Sequence, residues 1–92
     1  LVKKISKASN DTYVVEGGIA IDEINNELKI KIPEGRYETL AGFIIDRMQT
    51  FPSKKSRTNF RGFRFTVMEI EKNKISKIQI KVPLQNIKKN VR

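Results

Sequence analysis

The chain has 92 residues, of which 38% are hydrophobic and 32% charged, values typical of one globular domain with a single core. The absence of cysteine and histidine excludes disulfides, zinc sites built from these residues, and histidine-based catalysis. The net charge of +9 is unevenly placed: residues 11–46 carry eight acids and three bases, whereas residues 47–92 carry thirteen bases and two acids, so the domain is expected to have an acidic and a basic part.

The first part of the chain predicts one strand and one short helix. Residues 1–10 are polar and basic without clear periodicity, so we expect a linker or the tail of a preceding module. The β-branched and aromatic run at residues 12–16 is stopped by two glycines, which favours a strand followed by a turn. Ile21, Ile24 and Leu28 recur at helical spacing and predict a short helix.

The clearest helix signal covers residues 38–50. From Leu40 onwards the apolar residues recur every three or four positions and fall within one arc at 3.6 residues per turn. Glu38 or Thr39 can supply the N-cap oxygen. Pro52 follows the last turn, where proline is common because it cannot continue a helix.

The second part of the chain predicts a short strand and a β-hairpin. A polar basic loop at residues 53–62 includes a short strand at about residues 58–60. Apolar alternation begins at Phe63, and its phase later shifts by one residue, as a β-bulge or a strong local twist produces. Residues 72–74 supply a tight turn before a half-buried returning strand that includes residues 78–82.

Because the two helices are grouped rather than alternating with strands, we predict an α+β fold in two layers, an antiparallel sheet packed by two helices, with the order β-α-α-β-β-β. The domain is expected to cover residues 11–83, followed by an exposed basic tail at residues 84–92. The predicted core consists of Val14, Ile21, Ile24, Leu28, Tyr37, Leu40, Ile44, Met48, Phe51, Phe63, Phe65, Val67, Ile78 and Ile80.

The basic loop is the candidate contact surface for an anionic partner. Its cationic residues are Lys54, Lys55, Arg57, Arg61 and Arg64, with Phe60 and Phe63 interleaved. Guanidinium groups bind phosphates or carboxylates in a forked geometry, and exposed aromatic rings can stack on bases. Basic surfaces also serve solubility alone, and both phenylalanines can belong to the core. Binding of nucleic acid or another polyanion is therefore the alternative function.

Acidic residues of the first helix form a candidate site for a weakly bound divalent cation. Glu23 and Glu27 are four residues apart and share a helix face, with Asp22 beside them. The other interpretation is solvated surface charge, because the sequence lacks the dense acidic loop of an EF-hand. No nucleophile is paired with a base by its spacing, and no glycine-rich phosphate loop is present, so we expect neither enzymatic activity nor another cofactor.

A series of short motifs at characteristic spacings spans residues 17–82. Its members are Gly17, the helix residues Ile21, Asp22, Glu23, Ile24 and Asn25, then Pro33, the run Tyr37-Glu38-Thr39-Leu40-Ala41-Gly42, Pro52, Gly62-Phe63, Phe65 with Val67, and Ile78. In this pattern the chain resembles the transporter-associated domain of the CorC/HlyC type. The most specific element is the Tyr37 run at its distance from Pro52. The family usually has a glycine and an acidic residue shortly after that proline, where this chain has a basic segment at residues 55–57.

The resemblance implies an accessory or regulatory domain of a Mg²⁺/Co²⁺ efflux or hemolysin-like membrane protein. It implies a position on the cytoplasmic side, after a pair of CBS nucleotide-sensing modules and a membrane domain, which would be the partners together with a second copy in a homodimer. Anionic lipid of the nearby leaflet is a further possible contact for the basic half. The fold is similar to that of certain FAD-binding domains, but the chain has no flavin fingerprint, so flavin is not expected. We also expect the chain to be part of a longer protein.

Overall fold

The computed structural model describes residues 4–83. In chain order its elements are β1 (Ile5–Ser9), β2 (Thr12–Glu16), α1 (Ile21–Leu28), α2 (Leu40–Met48), β3 (Arg57–Phe60), β4 (Phe63–Glu71) and β5 (Lys74–Lys81). The expected basic tail at residues 84–92 lies outside the described residues. Among residues 4–83, no helix is long and apolar enough to cross a bilayer.

The five strands form one sheet in the order β1-β2-β5-β4-β3, and every neighbouring pair is antiparallel. Buried side chains from both helices and from one face of the sheet join in a single hydrophobic core. The predicted α+β class, with an antiparallel sheet packed by two helices, is confirmed. We call the sheet face opposite the core the open face.

Strand β1 corrects the expectation that residues 1–10 form only a linker. Its pairing with β2 runs from Ile5 opposite Val15 to Ser9 opposite Thr12. Ile5 packs against the core, whereas the other four residues of β1 are exposed. A single apolar residue gives no period-two alternation, so the sequence pattern could not reveal the strand. The element order therefore begins with two strands instead of one, ahead of the expected boundary at residue 11.

Both predicted helices are present, and each is followed by a residue in the left-handed conformation. These residues are Lys29 after α1, with φ 57°, and Gln49 after α2, with φ 61°. Thr39 is the N-cap of α2, since its Oγ1 accepts a hydrogen bond of 3.2 Å from the N–H of Gly42. The left-handed Gln49 ends α2 earlier than the predicted helix over residues 38–50.

The core matches the prediction at most positions and differs at two. Val14 is only half-buried and lies opposite Gln79, whereas its neighbour Val15 is buried. Two adjacent valines give no alternation, so the sequence could not tell which one faces inward. Phe51 is 46% exposed because α2 ends at Met48, so Phe51 does not continue the apolar face of the helix. Buried residues that the pattern did not identify are Val15, Ile19, Ile30, Ile32, Phe43 and Ile75.

Strands β4 and β5 form the predicted hairpin. Its turn residues, Lys72 and Asn73, both have positive φ, at 51° and 63°, as a two-residue type I′ turn requires. The register shifts between Val67 and Glu69, which is the irregularity that the phase change predicted. The hairpin provides two of the three interior strands of the sheet, and these two strands carry most of the charged side chains of the open face.

Candidate functional site

Three rows of side chains cross the open face of the sheet. Directly opposed residues of antiparallel strands share a face, so the register defines these rows. The first row contains Thr12, Lys81, Arg64 and Asn59; the second contains Ser6, Val14, Gln79, Thr66 and Arg57; the third contains Glu16, Lys77 and Glu69. The first two rows are neutral or basic, whereas the third alternates in charge.

A shallow depression of about 400 Å³ lies at the basic end of the open face. Its lining consists of Thr12, Lys55, Arg57, Arg64, Thr66, Gln79 and Lys81. Four of these seven side chains are cationic, the other three are neutral hydrogen-bonding groups, and none is a carboxylate. This surface, which we call the basic depression, has the composition of an anion-binding site.

The loop before β3 holds Lys55 at the edge of the basic depression. The N–H of Lys55 donates to the carbonyl of Val67 at 2.7 Å, and the N–H of Val67 donates to the carbonyl of Ser56 at 2.9 Å. These bonds tie the loop to β4. Lys55 has φ 75°, a left-handed conformation that costs a residue with a side chain about 1 kcal/mol. Glycine would adopt it without this cost.

Asp11 lies beside the basic depression and pairs with one of its cations. Its Oδ2 is 3.8 Å from Nζ of Lys81. Its Oδ1 accepts hydrogen bonds from the hydroxyls of Thr12 at 2.9 Å and Ser9 at 3.1 Å. The pKa of Asp11 is held below its ordinary value of 3.8. The largest cause is the hydrogen bond from Thr12, and the hydrogen bond from Ser9 and the charge of Lys81 act in the same direction. Asp11 is therefore ionised at neutral pH.

The other three cations of the basic depression have no ion-pair partner among residues 4–83. The salt bridges in this range involve Lys4, Lys77 and Lys81 only. All ten acidic residues of the chain lie between positions 11 and 71, so every side-chain carboxylate is within the described range. The charges of Lys55, Arg57 and Arg64 are thus not neutralised by any of them.

The structure brings together three of the five residues predicted to contact an anionic partner. Lys55, Arg57 and Arg64 line the basic depression, whereas Lys54 is exposed in the same loop but does not line it. The sequence analysis did not include Lys81 in this set. The signal that could have identified it is the hairpin register, because Lys81 pairs directly with Arg64.

The fifth predicted residue, Arg61, packs against an aromatic cluster. Its guanidinium lies 5.4 Å from the ring centre of Phe60, and Arg47 lies at the same distance from that ring. Phe60 also makes an edge-on contact with Phe43, with ring centres 5.3 Å apart. Arg47 donates to the carbonyl of Asn59 at 2.7 Å. The ring of Phe60 is thus already packed by the protein itself and is not a base-stacking platform.

The predicted metal ligands Asp22, Glu23 and Glu27 do not converge. No group of three acidic side chains in the described part of the chain could hold a metal ion. Glu23 is instead paired with Lys4, with Oε1 and Nζ 3.3 Å apart. Asp22 faces a separate shallow depression of about 390 Å³, lined by Ala20, Ile21, Asp22, Glu34, Gly35, Tyr37 and Glu38.

Comparison with known protein families gives a match that covers the described sheet from the second residue of β1 onwards. The model of the CorC_HlyC family, described as the transporter associated domain, matches residues 6–83. The chain belongs to this family. The resemblance inferred from the motifs of the sequence is therefore confirmed, and the match begins within β1.

Curated relatives of this transporter-associated domain are much longer proteins. The domain is 28% identical over 82 residues to the Polyamine export protein of Salmonella typhimurium, covering 87% of this chain and 18% of that protein. It is 29% identical over 90 residues to Hemolysin C of Brachyspira hyodysenteriae, covering 96% of this chain and 34% of that protein. The chain thus spans less than a fifth of the first relative and about a third of the second.

Solved structures show the same fold. A hemolysin domain from Enterococcus faecalis has a TM-score of 0.82 at 20% identity, covering 88% of this chain and 99% of that one. A CorC_HlyC domain of a hemolysin from Xylella fastidiosa, in complex with Mg²⁺ and Mn²⁺, has a TM-score of 0.77 at 20% identity, covering 87% and 98%. The transporter-associated domain therefore has the fold of these proteins.

Proposed function

We propose that this transporter-associated domain is a non-catalytic accessory domain that regulates a longer membrane export protein through contacts with its other domains or with a second copy. The family, and the names of two relatives as an export protein and a hemolysin, support this proposal. The proposal includes a position on the cytoplasmic side of the membrane, next to CBS modules and a membrane domain.

The observation that best supports docking is the composition of the open face. Its middle row joins Ser6, Val14, Gln79 and Thr66 across four strands and ends at Arg57 on β3. The side chains of these first four residues are neutral, and Val14 adds apolar surface next to the central strand β5. A partner can cover the part of the row from Ser6 to Thr66 without removing water from a charge, which would be costly. The alternating third row can then select a partner of complementary charge.

A cation as the exported cargo is part of the same proposal. The Salmonella relative is named for polyamine export, and the Xylella domain was solved with divalent ions. In this chain we propose only a weak, water-mediated contact of a divalent cation, at the depression lined by Asp22, Glu34 and Glu38, whose carboxylates do not form a direct ligand set. A Mg²⁺ titration should shift the amide signals of residues 34–38 selectively, and small uniform shifts would contradict it. The proposed function does not involve a flavin cofactor.

The test of docking is a titration of the ¹⁵N-labelled chain with the rest of its longer protein, purified in detergent. We expect signals of the open face to broaden and signals of α1 to be unaffected. Val14→Glu introduces a charge within the neutral part of the middle row and should abolish the effect. Glu27→Gln, which changes an exposed residue of α1, is the control and should bind normally. A chain that neither binds nor self-associates by light scattering would contradict the proposal.

A further inference from the structure

We infer that the basic depression is a binding site for a small soluble anion that carries two or three linked phosphate groups. The ligand would be held mainly by the side chains of Arg57 and Arg64, with Lys55 and Lys81 on either side. This inference is independent of docking to another domain, because it concerns a small ligand bound by the chain alone.

The two ends of the open face differ in how they arrange charge. In the third row, Lys77 lies between Glu16 and Glu69 in register, and its Nζ is 4.0 Å from the carboxylate of Glu69. At the other end Arg64 lies directly opposite Lys81 on the same two strands. Like charges opposed in this way are destabilising. The sheet thus pairs opposite charges at one end and opposes two cations at the other, where a bound anion would relieve the repulsion.

The loop position of Lys55 brings a further cation to the basic depression. The φ of Lys55, 75°, belongs to the left-handed region that favours glycine, and two backbone hydrogen bonds to Val67 fix the loop there. A lysine at this point is unfavourable for the backbone, and its side chain adds one more cation to the lining of the depression. The same conformation occurs at Lys29, Lys31 and Lys72, so what Lys55 contributes to the inference is the charge of its side chain.

Charge and size indicate the class of ligand. Three of the cations have no ion-pair partner among residues 4–83, and the fourth is shared with Asp11. Their charge exceeds that of one phosphate group and matches that of about two, since each phosphate group carries roughly −1.5 to −2. Guanidiniums bind phosphate oxygens in a forked geometry, and Thr66 and Gln79 can add neutral hydrogen bonds. A volume of about 400 Å³ suits a small molecule.

Nucleic acid is a poorer match than a small phosphate ligand. Base stacking along a strand needs exposed aromatic rings. None lines the basic depression, and the nearby ring of Phe60 packs between Arg47 and Arg61. The observations therefore favour contacts to phosphate groups without contacts to bases.

The experiment titrates the whole chain with sodium tripolyphosphate, followed by calorimetry and amide chemical shifts at about 50 mM salt. We expect the largest shifts at Lys55, Thr66 and Gln79. The double variant Arg57→Gln/Arg64→Gln should weaken binding at least about tenfold, since it removes two charged hydrogen-bonding groups.

A matched control separates a site from general attraction to a basic protein. Lys72→Gln/Lys74→Gln removes the same charge from the β4–β5 turn, outside the basic depression. It should leave the affinity within about twofold, because exposed charges this far apart are largely screened. Equal weakening by both double variants, or no binding at all, would overturn the inference.

Two further probes test the source of the phosphate. Vesicles of phosphatidylglycerol in phosphatidylcholine and a single-stranded oligonucleotide are compared with tripolyphosphate. Displacement of either probe by tripolyphosphate, with the same dependence on Arg57 and Arg64, supports the inferred site. If either probe binds through these arginines more tightly than tripolyphosphate does, and tripolyphosphate does not displace it, the assignment to a small soluble ligand is overturned.

Discussion

The side-chain amide of Asn25 makes two hydrogen bonds with the main chain of Ile32: its Nδ2 donates to the carbonyl, and its Oδ1 accepts from the N–H, both at 2.9 Å. These bonds bridge the segment after α1, in which Lys29 and Lys31 both have positive φ, at 57° and 67°. These two hydrogen bonds hold a short irregular segment in which Ile30 and Ile32 are buried in the core.

Asn25→Ala should lower the free energy of unfolding by about 2 kcal/mol, because two hydrogen bonds are lost and both main-chain groups of Ile32 lose their partner. Urea denaturation measures this change. The neighbouring exposed residue provides the control, since Asn26→Ala should stay within about 0.5 kcal/mol of the parent chain. Similar losses in both variants would show that the bridge does not stabilise the fold.

Gly17→Ala should be strongly destabilising, by about 3 kcal/mol, because a methyl group at this position would overlap the carbonyl oxygen of Ile75. Gly17 cannot move away easily, since its N–H donates to Ser76 at 3.0 Å and its carbonyl accepts from Ala41 at 2.9 Å. Gly18→Ala is the matched control, as no atom lies within 4 Å of the added group. In thermal unfolding, the Gly18 variant should have a Tm close to that of the parent chain. A Gly17→Ala variant with an unchanged Tm would contradict the close approach of Gly17 to Ile75.

Lys55→Gly should raise stability while weakening anion binding. Glycine removes the cost of the left-handed backbone but has more conformational freedom in the unfolded chain, which partly offsets this benefit. The net gain in the free energy of unfolding should be about 0.5 kcal/mol. Denaturation and tripolyphosphate titration measure the two effects on one sample. Lys54→Gly removes the same charge outside the lining of the depression and should show neither effect. An unchanged affinity in the Lys55 variant would remove this residue from the site.

The low pKa of Asp11 predicts a loss of stability in acid. Because the folded chain holds this pKa below its ordinary value of 3.8, ionised Asp11 stabilises the fold fully above that value, and the contribution disappears as the pH falls through the lower, folded pKa. Asp11→Asn should therefore be less stable than the parent chain at pH 6 and equal to it once Asp11 is protonated. Asp46→Asn is the control. A constant difference at all pH values would contradict the assigned cause.

The sequence pattern predicts the helices and the hairpin because each has a local signal. Helical spacing from Ile21 to Leu28 and the Thr39 cap before α2 correspond to the observed elements. The turn at Lys72 and Asn73 gives an equally local signal for the hairpin. The family motifs, which span residues 17–82, indicate in addition how these elements combine into one domain. The predicted fold class was therefore accessible before any coordinates.

The remaining features depend on pairing between distant strands, which leaves little local trace. Strand β1 has one core-facing residue, Ile5, and is defined by its partner β2. The basic depression depends on the register that sets Lys81 opposite Arg64, and on the loop that brings Lys55 to its edge. Residue types alone indicated a basic surface, but they could not show which cations share it.

The proposed regulatory role is tested most directly by the rate of export of the proposed cation cargo by the proposed longer protein, measured in reconstituted vesicles with and without this domain. We predict that export continues when the domain is removed but at a changed rate, and that Val14→Glu in the intact protein reproduces that change whereas Glu27→Gln does not. Export at the same rate with and without the domain, in protein that is inserted to the same extent, would contradict the proposal.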